Sequence, residues 1–231
     1  MTETTRLAPD RYLALIAADG HRLAAVAEGH LDDTVPTCPG WTVTDTAAHM
    51  CGVTVDIVDG NLEGVATDPW TASHVERLAP LGLSAILERW TETGAVVESL
   101  AAAFPPAPAS QMVFDATTHE HDIRGALGDT GGRESTSIVV GLGFMESSLD
   151  TFIRAGGLPA LGVHSPQWTA VMGEGEPEVE VETSTFELFR TFGGRRSEAQ
   201  IRSLPWTGDP GPYLAILNDG PVILRAEALI E

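Results

Sequence analysis

The sequence contains no lysine, so all 13 of its basic side chains are arginines, against 33 aspartates and glutamates. The resulting formal charge of −20 argues against a DNA- or RNA-binding surface, because phosphate contacts need clustered positive charge. It argues equally against binding to an anionic membrane surface. A phosphate-binding loop of the GxxxxGK type is excluded, since that loop requires its lysine.

Cysteine and long apolar runs are also scarce. Cys38 and Cys51 are too few for a disulfide framework. No uninterrupted apolar stretch approaches the ~18 residues of a membrane span, and the N-terminus lacks the basic-then-apolar layout of a signal peptide. With 43% apolar residues the chain can nevertheless bury a core. We therefore expect a folded cytoplasmic protein, and the Ala-, Gly- and Arg-rich composition suggests a GC-rich genome.

The first two-thirds of the sequence has the periodicity of helices. Apolar residues recur at spacings of three and four, as amphipathic helices require. Thr42 is predicted to cap the second helix, with Asp45 three residues later in its first turn. Four or five antiparallel helices with short loops describe a bundle. The predicted helices cover 10–29, a segment starting at Thr42, 83–103 (ended by prolines), 110–127, and Ser135 or Thr136 to Ala155.

After about residue 160 the pattern changes to short strands and helices. Alternating residues over 168–172 and 178–182, joined by a glycine-rich segment, predict a hairpin. Short helices are predicted over 183–192 and 197–204, and further strands over 213–217 and 222–226. The predicted fold is therefore α+β, with a helical bundle over 1–158 and a small α+β domain over 159–231.

One face of the helix predicted over 110–127 carries Asp115 and His119, one turn apart in an otherwise apolar stripe. Burying an unpartnered carboxylate there costs several kcal/mol. An Asp–His hydrogen bond or a neighbouring arginine would solve this. A metal ion would solve it too, because two ligands four residues apart on a helix can converge on one cation.

His49, near the middle of the second predicted helix, is the candidate for a third ligand. Facing helices of a bundle are a usual place for metal sites. Two histidines and one carboxylate leave an open coordination position, which is typical of catalytic sites. The alternative for His49 is an ordinary packed or surface histidine.

Other catalytic motifs are incomplete. His119-Glu120 begins like a zinc-protease motif, but position 123 is an isoleucine and not the second histidine. The two cysteines are thirteen residues apart, without the paired spacing of a zinc knuckle. The serine-hydrolase elbow and the dinucleotide-binding loop are missing as well.

Three segments resemble a known family. Val35–Asp45, with Cys38-Pro39-Gly40-Trp41 and the following His49, resembles the C-P-G-W…H segment of the actinobacterial mycothiol-dependent maleylpyruvate isomerase family. The segment 115–124 resembles that family's E-x-x-x-H-x-x-D-I-R. Residues 187–197 and 208–214 are similar to its C-terminal domain. The N-terminal part of the family resembles the DinB-like four-helix metalloproteins, so the resemblance implies a DinB-like bundle here.

The resemblance places the family's metal ligands on His49, Asp115 and His119, with zinc or another divalent ion as cofactor. The family usually has glutamate where this chain has Asp115, which is one methylene shorter. The resemblance also implies mycothiol as thiol cosubstrate, held as a metal-bound thiolate. Addition of that thiolate to a double bond would allow cis–trans isomerisation, whereas attack at a leaving group or epoxide would be S-transfer. The residues do not decide between these reactions.

The expected partner is a small electrophilic substrate. If it bears a carboxylate it needs positive charge, for which Arg124, Arg195 and Arg196 are the candidate catalytic residues. Each arginine could equally pair with a carboxylate of the protein. Trp41 is the candidate cofactor-binding residue, as one wall of the pocket. Alternatively, its side chain packs the start of the second helix against the core, in a hydrophobic staple. Asp122 is expected to bind the following backbone or Arg124. A monomer or homodimer is expected.

Two other functional classes stay open. A non-haem iron oxygenase shares the two-His-one-carboxylate set, but such enzymes typically add a further domain. A non-enzymatic binding or regulatory module with a degenerate site is favoured by the aspartate at position 115.

Overall fold

The computed structural model describes residues 29–100, 103–219 and 222–231. The helix predicted over 10–29 therefore lies outside the described residues, apart from Gly29. Contacts divide the chain between Gly131 and Gly132 into two compact units, the N-terminal and the C-terminal unit. The domain boundaries predicted above, 1–158 and 159–231, stay a prediction.

The described part of the N-terminal unit consists of helices. Its central helix is α1 (Val43–Asp59), whose residues 46–56 are buried and which packs against the three other α-helices described for this unit. None of the helices in the described part of the chain is long and apolar enough to cross a bilayer. The helices are α1 (Val43–Asp59), α2 (Asp68–Leu78), a 3₁₀ turn (Ala79–Leu81), α3 (Leu83–Leu100) and α4 (Pro106–Ala126).

Two features of this unit differ from the sequence prediction. α2 was not predicted, because only His74 and Leu78 of its residues are buried and its apolar stripe is correspondingly weak. α4 begins at Pro106, four residues earlier than expected. Proline is tolerated in the first turn of a helix, where its missing N–H has no intrahelical partner. The proline run therefore also starts a helix.

The C-terminal unit combines four helices with four short strands among its described residues. They are α5 (Thr136–Ala155), β1 (Ala160–His164), β2 (Thr169–Met172), β3 (Pro177–Glu182), α6 (Thr185–Phe192), α7 (Glu198–Arg202), β4 (Trp206–Thr207) and α8 (Gly211–Asp219). The sheet has the order β2-β1-β3-β4, in which β1 is antiparallel to β2 and parallel to β3, and β4 is antiparallel to β3. α5 packs against β2, α6 and α8. A helical N-terminal part followed by a small part with a sheet confirms the predicted α+β class.

The strands predicted over 168–172 and 178–182 are present as β2 and β3, but their predicted pairing was wrong, as were the two later strand predictions. The segments 168–172 and 178–182 do not form a hairpin, because β1 lies between them and pairs with both. β1 is buried along almost its whole length, so its sequence shows no alternation of apolar and polar residues. The predicted strand 213–217 is the helix α8, whose buried residues Tyr213, Leu214 and Leu217 have helical spacing. The described residues 222–226 do not form the predicted strand. Only Arg225 among them makes an isolated bridge, to Ser197.

Buried ion pairs hold the C-terminal unit together around Glu231. Arg190 donates to both of its carboxylate oxygens at 2.7 and 2.9 Å, and Arg196 donates to it at 2.8 Å. Arg196 also donates to both oxygens of Glu187. Burial alone would raise the pKa of Glu231, but the hydrogen bonds and charges of the two arginines outweigh it and hold that pKa below its ordinary value.

We expect Glu231→Gln to lower the free energy of unfolding by about 3 kcal/mol at neutral pH, because it leaves buried guanidinium charge uncompensated. A carboxyl with a lowered folded-state pKa stabilises the fold above its unfolded pKa, near 4.5, and loses this effect as the pH falls through the folded value. The difference between variant and wild type should therefore shrink in acid. Urea unfolding over a descending pH series measures it.

Glu198→Gln is the control in the same unit, since Glu198 and Arg202 form an exposed pair. It should change stability by no more than about 0.5 kcal/mol. Equal stability of Glu231→Gln and wild type at neutral pH would contradict the structural role of the buried cluster.

Candidate metal centre

A tight turn precedes α1 and shapes one side of the site. Trp41 N–H donates to the carbonyl of Cys38 at 2.9 Å, and Gly40 between them has a φ of 86°. Proline followed by a residue with positive φ is the signature of a type II turn, in which glycine fits without strain. Pro39-Gly40 therefore bends the chain so that both Cys38 and Trp41 line the same cleft.

The next residue fixes the start of α1. The Thr42 hydroxyl accepts from the Asp45 backbone N–H at 3.1 Å, and the Thr42 N–H donates to the Asp45 carboxylate at 2.8 Å. This reciprocal capping box confirms the predicted cap and satisfies backbone donors that the first helical turn leaves unpaired. His49 follows two turns later on the buried part of α1.

His49, Asp115 and His119 converge as the sequence predicted. His49 Nε2 lies 3.4 Å from one carboxylate oxygen of Asp115, and His119 Nε2 lies 3.7 Å from the other. The three ligand atoms lie within 4.8 Å of one another. His49 is buried, whereas the Asp115 side chain is 35% exposed. One polar cluster therefore combines two imidazoles with a carboxylate that solvent reaches.

The cluster opens into a cleft of about 610 Å³ in the N-terminal unit. The Trp41 ring forms one wall, with its centroid 5.4 Å from that of His49 and 6.0 Å from that of His119. This volume is within the range of small-molecule sites. Among the described residues, the cleft is lined by Cys38, Pro39, Trp41, His49, Ala66, Asp68, Thr71, Ala72, Asp115 and His119, with no arginine.

The other ring nitrogen of each histidine has its own partner. His119 Nδ1 lies 3.1 Å from the buried carboxylate of Asp122, and His49 Nδ1 lies 3.1 Å from His74 Nδ1. Burial lowers the pKa of His74 below its ordinary value, although its hydrogen bond with Asp56 acts in the opposite direction. The Nε2 atoms of His49 and His119 are therefore the ones that lie toward Asp115. Sequence periodicity did not reveal the contacts of His74 or Asp122, since both depend on tertiary packing.

The donor set fits a divalent ion. Ligands about 2.0–2.1 Å from a tetrahedrally coordinated zinc ion are about 3.3 Å apart, close to the two nitrogen–oxygen separations at Asp115. Metal-binding histidines usually donate their second nitrogen to a carboxylate or another acceptor, as His119 does toward Asp122. Three protein ligands beside a cleft would leave a coordination position for an exogenous group.

The cysteines have different environments. Cys38 Sγ lies 3.4 Å from Asp122 and 3.7 Å from His119 Nδ1, so these three residues form a second group within metal-binding distance. Asp122 already contacts the same His119 nitrogen at 3.1 Å. Cys51 is buried in α1, and burial raises the pKa of its thiol to about 12 despite the nearby charge of Arg89. Cys51 is therefore a protonated core residue at neutral pH.

The arginines named from the sequence are engaged in contacts of their own. Arg124 donates to Glu120 at 2.9 Å and also pairs with Asp129. Arg195 donates to the carbonyl of Gly193, and Arg196 belongs to the buried ion pairs of the C-terminal unit. Their predicted role toward a substrate carboxylate stays a prediction.

Comparisons with known proteins agree with this fold. Two solved structures of mycothiol-dependent maleylpyruvate isomerase are similar to the chain. One is 15% identical with a TM-score of 0.54, covering 96% of this chain and 100% of that chain. The other, a histidine-to-alanine mutant, is 14% identical with a TM-score of 0.53, covering 84% and 92%. At these identities the likeness concerns the fold alone.

No curated protein matches the sequence. Residues 13–129, just over half of the chain, match the family model described as the mycothiol maleylpyruvate isomerase N-terminal domain. The matched stretch contains His49, Asp115 and His119, together with all the residues that line the cleft. On the evidence of this match, the chain belongs to the mycothiol maleylpyruvate isomerase family.

Proposed function

We propose that the chain is a zinc-dependent enzyme that uses mycothiol to isomerise a small cis-unsaturated electrophile, with S-transfer as the alternative reaction of the same site. The observation that carries the proposal is the convergence of His49 Nε2, Asp115 and His119 Nε2 at one cleft. The family match supports the thiol cofactor. The similar solved structures, described as mycothiol-dependent maleylpyruvate isomerase, favour isomerisation over S-transfer.

The ion would hold the cofactor sulfur as a thiolate near neutral pH, and that sulfur supplies the nucleophile. The protein's own part is to bind and orient. His49, Asp115 and His119 would hold the ion, and Asp122 keeps the second nitrogen of His119 engaged. The indole of Trp41 lies beside both histidine rings and would shield that side of the site from water.

The charge of the cleft also bears on the substrate. Asp68 and Asp115 contribute the carboxylates, and no arginine lies among the described residues that line it. A carboxylate-bearing substrate would therefore meet positive charge chiefly at the bound ion. The predicted roles of Arg124, Arg195 and Arg196 toward such a carboxylate stay a prediction, since none of them is among the described residues that line the cleft.

The test compares metal content and thiol-dependent turnover of wild type and His49→Ala. Elemental mass spectrometry should find about one zinc per wild-type chain and a large loss in the variant, because two ligands remain. Turnover should be followed with mycothiol and maleylpyruvate, and separately with an electrophile that carries a leaving group. Product formation with either substrate should disappear together with the metal.

His30→Ala is the matched control, since His30 is an exposed histidine of the same unit that also contacts an aspartate, Asp33. It should keep both metal and turnover. Zinc binding without turnover on any thiol or electrophile would favour the non-enzymatic module. Stoichiometric iron would favour the oxygenase. Absence of metal from the wild type after adding zinc would refute the proposal.

A further inference from the structure

A buried chain of hydrogen bonds runs from His49 away from the proposed ligand cluster. His49 Nδ1 lies 3.1 Å from His74 Nδ1, and His74 Nε2 lies 3.0 Å from a carboxylate oxygen of Asp56. The side chains of His74 and Asp56 are 0% exposed. His74 does not line the cleft. The pair therefore supports His49 from inside the protein.

Two further residues fix the carboxylate at the end of this chain. Arg77 donates to one oxygen of Asp56 at 2.8 Å, and the Asn61 side chain donates to the other at 3.0 Å. A buried carboxylate needs such donors, because an unpaired charge in the interior is costly. Asp56 is therefore held as an acceptor in a defined orientation.

This acceptor determines where the ring protons lie. A carboxylate only accepts, so His74 Nε2 is the donor to Asp56, and in a neutral His74 ring Nδ1 is then the acceptor. The short contact between the two Nδ1 atoms then requires His49 Nδ1 to donate. In a neutral His49 ring this leaves the lone pair on Nε2, the nitrogen that lies toward Asp115. This is the tautomer that a metal ligand requires.

Packing restricts the His74 ring to this arrangement. The ring lies beside His49, with centroids 5.2 Å and planes 27° apart, and makes a T-shaped contact with Trp70 at a centroid distance of 4.2 Å. The His74 side chain also lies directly against Gly52, where any added Cβ would clash with the Cβ and Cγ of His74. A ring confined on these sides keeps its nitrogens on the line between His49 and Asp56.

We infer that His74 and Asp56 are positioning residues that hold His49 in the Nδ1-protonated tautomer, with Nε2 directed at the metal position. The inference rests on the metal site of the proposed function. Partners of this kind typically change metal affinity by about 10–100-fold when removed, without touching the ion themselves. They act through His49 and are not catalytic residues.

The first test reads the tautomer directly in the metal-free wild-type protein, at a pH high enough for its histidine rings to be neutral. Imidazole nitrogen chemical shifts and long-range proton–nitrogen correlations distinguish a protonated Nδ1 from a protonated Nε2. We expect His49 protonated on Nδ1 and His74 protonated on Nε2. His49 protonated on Nε2 would overturn the inference. Since no metal is needed, this result is separate from the success or failure of the proposed function.

The second test measures metal binding by His74→Phe and His74→Asn. Phenylalanine keeps the ring but removes the acceptor, and we expect apparent zinc affinity to fall about 10–100-fold. The visible absorption of the cobalt-substituted protein should change with it. Asparagine offers a carbonyl oxygen near the position of Nδ1, so it should recover much of the affinity.

Thr93→Val is the matched structural control. Thr93 makes a buried hydrogen bond to Thr54 of α1 at 2.7 Å and lies outside the cleft. It should lower stability while leaving zinc affinity and the cobalt spectrum unchanged. Unchanged affinity and spectrum in a folded His74→Phe protein would overturn the inference. If His74→Phe does not fold, the wild-type tautomer and the asparagine variant still decide it.

Discussion

Replacing Asp115 with alanine is expected to weaken zinc binding by at least about a hundredfold. Structural zinc sites with four ligands bind with roughly 10–16 kcal/mol, which corresponds to about 3 kcal/mol per ligand. Asp115 also supplies the one carboxylate of the proposed set, with its oxygens at 3.4 and 3.7 Å from the two histidines. Zinc affinity by chelator competition and thiol-dependent turnover measure the effect, and both should be lost together.

Asp115→Glu is the informative partner variant. Glutamate is the residue that the resembling family usually has at this place, and its longer side chain still offers a carboxylate. It should retain about one zinc per chain. Because Asp115 already spans both histidines at suitable distances, the shorter side chain should not make the site degenerate. Equal zinc affinity in wild type and Asp115→Ala would show that this carboxylate is not a ligand.

Gly52→Ala is expected to destabilise the protein by about 2 kcal/mol or more and to weaken metal binding. Alanine is favoured over glycine within a helix by about 1 kcal/mol. The added Cβ would, however, clash with His74 and lie 2.7 Å from its Cδ2. His74 is fully buried, so α2 must move, and overpacking of this kind costs typically 1–3 kcal/mol or more. Urea unfolding and zinc affinity measure the two effects.

The double variant Gly52→Ala/His74→Gly controls for the clash. Removing the His74 side chain leaves room for the new Cβ, so the two substitutions should show a favourable coupling energy in a double-mutant cycle. Zinc affinity should stay low in the double variant, because the partner of His49 is absent. If Gly52→Ala alone is as stable as wild type and binds zinc equally well, the close approach of α1 and α2 does not constrain the site.

The proposed ligands could be predicted because a helix converts sequence spacing into geometry. Asp115 and His119 share a face of α4 simply by being four residues apart, and the cost of burying a carboxylate pointed to a partner. In the structure His49 lies next to this pair, with the three ligand atoms within 4.8 Å of one another. Their role in binding a metal stays a prediction.

The C-terminal unit shows where sequence patterns fail. Glycine-rich residues between two alternating segments resemble a hairpin connection, yet β1 lies between β2 and β3. β1 is a short central strand, buried along most of its length, so it lacks the alternation of a half-exposed strand. Which strands pair depends on contacts across the sheet, and no local pattern contains them.

By itself the sequence determined those features that depend on neighbours a few positions away. These include the helix cap at Thr42, with Asp45 in the first turn, and the shared face of Asp115 and His119. The tertiary structure alone decided that His74, 25 positions beyond His49, meets its second nitrogen. The physical reason is that this hydrogen bond exists only where α2 packs on α1 over Gly52, and such packing leaves no periodic trace in either helix.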